Sequence, residues 1–128
     1  VITGATSGVG LAVARRAARA GACVFLIARG EKDIQALCEE LQATGARVAY
    51  AMADVSDYDA LALAADKAQR LFGGFDTWVN NAGVSIYGPI RETTLEDQRR
   101  LFETNYWGVV NGSLVAAEHL RLREGGGA

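Results

Sequence analysis

Three glycines, Gly4, Gly8 and Gly10, stand close together in the opening stretch VITGATSGVG, directly after the β-branched residues Val1, Ile2 and Thr3. That order reads as a strand end turning into a helix. Such a turn leaves backbone N–H groups free at a helix N-terminus, where they favour an anion, most often a phosphate. Gly4 permits the turn, Gly8 lets backbone approach the ligand, and Gly10 begins a close-packed helix. The spacing GxxxGxG differs from the GxGxxG of most dinucleotide folds, and by itself it equally suits glycines that serve packing alone. Three further segments carry polar residues after apolar runs: Arg29 after ACVFLIA, Asp54-Val55 after VAYAMA, and Asn80-Asn81-Ala82-Gly83 after FDTWV.

Positioning these residues requires alternating strands and helices. Residues 8–21 form a helical pattern with Gly10, Val13, Ala14 and Ala17 as a small-residue stripe and Arg15, Arg16 and Arg19 opposite. Residues 22–28 read as a strand covered on both faces. Ile34, Leu37, Cys38 and Leu41 make a second helical stripe, stopped at Gly45. Residues 47–53 give a third strand. Ser56 with Asp59 predicts a capping box for a helix bearing Leu61, Ala64, Ala65, Ala68 and Phe72, ended by Gly73-Gly74. Residues 75–80 predict a fourth strand. Thr93 with Glu96 caps a helix over 94–105 that runs on to about residue 123, and residues 125–128 read as a loop.

This alternation predicts an α/β fold, a doubly wound parallel sheet with helices on both faces. With right-handed crossovers the expected strand order is 3-2-1-4, the fourth strand being an edge that contains Phe75, Trp78 and Val79 and exposes unpaired backbone groups beside them. Ligands in such sheets bind beyond the carboxyl ends of the strands. All four suspicious segments fall there.

TGATSGVG, Asp54-Val55, NNAG at residues 80–83 and Asn105 in FETNYWGVV together resemble the short-chain dehydrogenase/reductase family, over all 128 residues. The resemblance implies a Rossmann-type fold and a cofactor set of Gly4, Thr6, Ser7, Gly8, Val9, Gly10, Arg29, Asp54, Val55, Asn81, Ala82 and Gly83. Within it, Asp54 would bind the adenine amino group, and Ala82-Gly83 would lie near the nicotinamide ribose. Asn80 matches a sheet-stabilising asparagine. Asn105 matches the helical asparagine of the family's catalytic set, which holds a water in the proton relay.

The family's serine and YxxxK are missing. Tyr50, Tyr58, Tyr87 and Tyr106 are followed four positions on by Asp54, Ala62, Arg91 and Val110. The expectation is therefore the N-terminal, cofactor-binding portion of a single Rossmann domain, cut at both ends, with the catalytic half outside it. The parent would be an NADP(H)-dependent oxidoreductase moving a hydride between nicotinamide and a carbonyl or alcohol. The alternatives are a non-catalytic dinucleotide-binding sensor or scaffold, or an inert truncated product.

Charge guides the choice of cofactor. An acid at the end of the second strand would bind two ribose hydroxyls and repel a 2′-phosphate. Ala28 and Arg29 stand there instead. A guanidinium matches phosphate geometry, so NADP(H) is favoured over NAD(H), with Glu31 opposing. The lesser alternative is an arginine that only snorkels along the surface.

The remaining features are quieter. A net charge of −2 gives no footprint for nucleic acid or an anionic membrane. No apolar run approaches the roughly 20 residues of a membrane span, and no leader pattern opens the chain. Cys23 and Cys38, without a CxxC, predict two buried reduced thiols, no metal site and a cytoplasmic protein. The partner expected is a small carbonyl or alcohol compound, and the resemblance implies a homo-oligomeric parent. His119, the only histidine, reads as a surface residue; Trp78 and Trp107 read as core. Arg99 and Arg100 with Glu96 and Asp97 form a solvated helix face. Ile86, Tyr87 and Pro89 stand where a substrate pocket would begin.

Overall fold

Strand β1 is only Ile2–Thr3, and it pairs in parallel with β2, Val24–Ala28, in the register Ile2↔Leu26 and Thr3↔Ile27. β2 pairs in parallel with β3, Val48–Met52, from Val24↔Val48 to Ala28↔Met52. The computed structural model describes residues 1–123, so the loop expected at 125–128 lies outside the described residues. Between the strands run helix α1, Gly8–Arg19, and helix α2, Glu31–Ala43. After β3 come α3, Tyr58–Phe72, then a 3₁₀ turn at Ile90–Glu92, and α4, Leu95–Phe102. A π-helical turn, Glu103–Trp107, joins α4 to α5, Gly108–Leu120.

β2 is central, and its residues alternate between two cores. Val24, Leu26 and Ala28 face Ala14 and Ala18 of α1 and Ile34, Leu37, Cys38 and Leu41 of α2. Phe25 and Ile27 face Leu61, Ala64, Ala65 and Ala68 of α3 and Val115 and Ala116 of α5. A strand covered on both sides has no solvent face, which is why its sequence is an unbroken apolar run. The doubly covered parallel sheet is as expected.

The expected four-strand sheet is corrected to three strands, in the order β1-β2-β3. The 75–80 segment does lie beside β1. Thr3 N donates to Val79 O at 3.0 Å and Val79 N donates to Val1 O at 2.9 Å. These two bonds form a single parallel bridge, Ile2↔Val79. β1 offers too few residues to extend it into a ladder. Nor is this edge bare: Phe75 and Trp78 are buried, packed in the core beneath α3 and α5.

Local details shift as well. In α1 the buried stripe is Gly10, Ala14 and Ala18, and Val13 is exposed. Asp57 caps α3 by accepting from Ala60 N at 3.0 Å, whereas Ser56 bonds Asp54. The capping box of α4 is Thr94 with Asp97, one residue later than the Thr93–Glu96 pair. The expected helix over 94–105 ends at Phe102 because the π turn intervenes. Trp107 on that turn is 47% exposed, and so outside the core. Cys38 is buried, but Cys23 is exposed. His119 is only 19% exposed at its side chain, stacked on Phe75 with ring centroids 5.3 Å apart and 3.7 Å from Asp66.

Candidate functional site

The carboxyl ends of the strands open on a cleft of about 520 Å³. One wall is the turn from β1 into α1. Gly4 there has φ 63°, and a Cβ on it would come within 2.7 Å of Ala82 Cα. Gly8, at the first position of α1, has φ 53° and nothing within 4 Å of where a Cβ would stand. Its backbone is therefore open to the cleft. Ser7 makes no side-chain cap, and no acidic residue stands in the first turn of α1. Leu11 N, donating to Ser7 O, is the first amide of α1 to reach back to the turn, so the N–H groups of Gly8 and Val9 at the helix end have no acceptor among the described residues. Partial positive charge collects there.

Gly10 has a different part. It is buried, it does not line the cleft, and a Cβ on it would overlap the Gly4 carbonyl and the Asn81 side chain. Its lack of a side chain lets α1 close against the turn. Gly10 thus shapes the loop from behind, at the start of the close-packed helix that the sequence predicts.

The loop is held from the fourth segment, by Asn81 rather than Asn80. Asn81 Nδ2 donates to Thr3 O at 3.0 Å and Gly4 O at 3.1 Å. The backbone amides of Asn81 and Ala82 both donate to Thr3 Oγ1, at 3.0 and 3.1 Å. Asn80, expected to stabilise the sheet, accepts from Trp78 Nε1 and donates to Ser113 on α5. It ties the segment to a helix. The dyad's two side chains point opposite ways because successive residues in extended chain do so.

The opposite wall carries charge. Arg29 and Asp54 follow adjacent strands and face each other at 3.6 Å, with Gly30 and Asp33 beside Arg29. Asp54 Oδ1 accepts from both Ser56 N and Ser56 Oγ, at 3.0 and 2.8 Å. Desolvation alone would raise the Asp54 carboxyl. The bonds from Ser56 and the Arg29 charge outweigh it and hold the group below the usual carboxylate range. Asp54 is thus anionic at neutral pH.

Ile27, Ala28, Ala53, Val55, Val84 and Thr104 also line the cleft, with Ala82 and Gly83. Asn105, on the π turn, stands next to it. Its Oδ1 accepts from Val84 N and its Nδ2 donates to Val84 O, both at 2.8 Å. The side chain is thereby committed to Val84. Gly4, Thr6, Ser7, Gly8, Val9, Arg29, Asp54, Val55, Asn81, Ala82 and Gly83 all line one cleft; Gly10 and Asn105 support it. Val84, Thr104 and Asp33 were not foreseen. Asn111, which braces Val55 and Ser56, was missed too, and its only signal was a polar residue in an apolar helix.

Among the described residues no group of three His, Cys, Asp or Glu side chains is arranged to hold a metal. No helix among them is long and apolar enough to cross a membrane.

Comparison with known proteins places this geometry. The sequence pattern of the short chain dehydrogenase family matches residues 1–128. The chain is 45% identical over 119 residues to the uncharacterized oxidoreductase YxnA of Bacillus subtilis (strain 168), covering 93% of this chain and 33% of that protein. It is 42% identical over 112 residues to 1-deoxy-11-beta-hydroxypentalenate dehydrogenase of Streptomyces arenae, covering 86% and 40%. A short chain dehydrogenase from Burkholderia cenocepacia J2315, solved in complex with NADP, superposes with a TM-score of 0.87 at 36% identity, covering 98% and 51%. The chain thus spans between a third and about half the length of these proteins.

Proposed function

Because the chain belongs to the short-chain dehydrogenase family, we propose that it forms the cofactor-binding part of an NADP(H)-dependent oxidoreductase acting on a small carbonyl or alcohol compound. The observation that carries the reading is the open, uncapped N-terminus of α1 facing the Arg29–Asp54 wall across one cleft. The chemistry of the donors fits a dinucleotide. Free amides at Gly8 and Val9 suit a pyrophosphate, and the space beside Gly8 admits it. The Asp54 carboxylate suits an adenine amino group. The Arg29 guanidinium suits a 2′-phosphate. Ala82 and Gly83 offer a narrow backbone wall along the nicotinamide ribose.

When bound, the nicotinamide supplies or accepts the hydride. The residues of this chain bind and orient it. Asn105 serves the proton relay in this reading, held at the edge of the cleft by the two bonds of its side chain to Val84. The carbonyl-polarising serine and the tyrosine–lysine pair belong to residues beyond this chain, a placement supported by the partial coverage of its relatives. The unpaired thiols Cys23 and Cys38 support a reducing, cytoplasmic setting. A homo-oligomeric parent completes the reading.

Titration of the chain with NADPH and NADH, followed by nicotinamide fluorescence, tests the proposal. Saturable binding with NADPH the tighter ligand is expected. A folded chain that binds neither overturns it.

A further inference from the structure

Helix α5 reaches the cofactor cleft through a polar side chain that lies outside it. Asn111 Nδ2 donates to Val55 O and to Ser56 O, both at 3.1 Å. These two carbonyls receive no other hydrogen bond among the described residues. They belong to the short link between β3 and α3, where Val55 is buried and no ladder or helix bonding is available to satisfy them. One turn earlier on the same face, Gly108 packs on Val55 so closely that a Cβ would come within 2.5 Å of Val55 Cγ2. α5 therefore grips the link twice, by contact at Gly108 and by hydrogen bonds at Asn111.

The link carries the charged wall of the cleft. Ser56, gripped at its carbonyl, gives its amide and hydroxyl to Asp54 Oδ1. That fixes the carboxylate and leaves Oδ2 facing Arg29. The chain of bonds runs from Asn111 to Ser56 to Asp54, and each step fixes the next. Without the amide, the two carbonyls must turn toward water, and the turn that orients Asp54 turns with them.

We propose that Asn111 is a positioning residue for the adenosine end of the cofactor site, acting through Ser56 on the Asp54 carboxylate. The inference rests on the dinucleotide reading given above. A residue on α5 thus governs affinity without touching the ligand.

A double-mutant cycle on the chain tests it, with NADPH dissociation constants measured for wild type, Asn111→Leu, Asp54→Asn and the double variant. Asn111→Leu removes the donors at similar volume. It is expected to weaken NADPH about fivefold, the size of one net hydrogen bond. In the Asp54→Asn background the same change should have almost no further effect. Multiplying losses would show a general structural role and overturn the proposal, as would an unchanged affinity in Asn111→Leu. Asn111→Ser keeps one donor and should restore part of the affinity; it carries the same cycle if the leucine variant does not fold. Failure of wild type to bind NADPH overturns the dinucleotide reading and this inference with it. Binding by wild type with multiplying losses overturns the role of Asn111 alone.

Discussion

Arg29 Nη1 lies 3.6 Å from Asp54 Oδ2, so a cation and an anion from adjacent strand ends face each other on one wall of the cleft. Both are well exposed, at 53% and 40% of their side chains. A pair that wet contributes about 0–1 kcal/mol. A hydrogen bond to a charged group contributes about 1.5–3 kcal/mol. Under the proposed dinucleotide reading, a 2′-phosphate would therefore draw Arg29 away from Asp54.

Replacement of Arg29 follows directly. Arg29→Ala should weaken NADPH by about 1.5–3 kcal/mol and leave NADH nearly unchanged. Dissociation constants for both cofactors, measured on both variants, give the comparison. Equal losses would mean that Arg29 does not read the phosphate. Raising salt should erode the NADPH advantage of the wild type, since exposed charges are screened.

The Asp54 carboxyl makes stability depend on pH in a defined direction. Its folded-state value is depressed, by Ser56 and Arg29 acting against desolvation. The unfolded chain binds a proton near the ordinary value of about 3.9, above the folded one. Its stabilising contribution is then complete above that value and is lost as pH falls through the lower, folded-state value. Unfolding midpoints of wild type and Asp54→Asn should differ at pH 6 and converge on acidification. A constant gap down to pH 2 would show that the carboxylate gains nothing on folding.

Much of this site was legible because its residues act through backbone and spacing. A glycine turn, an apolar strand and an acid at the strand end each leave a local mark. Asn80 and Asn81 show where that legibility stops. Both are polar, adjacent and at a strand end, and which of them braces β1 depends on the phase of the pleat. The single bridge at Val79 settles that phase, and no local pattern encodes it. The π turn is hidden for a similar reason. Residues 94–120 keep a helical composition throughout, and the extra residue shows only in how Asn105 meets Val84 while Gly108 and Asn111 meet Val55. The position of Trp107 on that turn follows from the same shift.

The two glycines at the head of α1 should separate stability from affinity. Gly10 is buried, and a methyl there would overlap the Gly4 carbonyl and Asn81 Nδ2, the pair that holds the turn against β1. Neither neighbour is the free end of a flexible side chain. Overpacking costs about 1–3 kcal/mol, and alanine's better helix propensity returns at most about 1. Gly10→Ala should therefore lower stability by about 1–2 kcal/mol in denaturant unfolding. Gly8 has open space around it but a φ of 53°. A methyl there costs about 1–2 kcal/mol of backbone strain and stands where a phosphate would approach. Gly8→Ala should thus weaken NADPH well beyond its effect on folding, whereas Gly10→Ala, assayed where it is fully folded, should bind more nearly like wild type. The reverse pattern would mean that the anion lies on the Gly10 side of the turn.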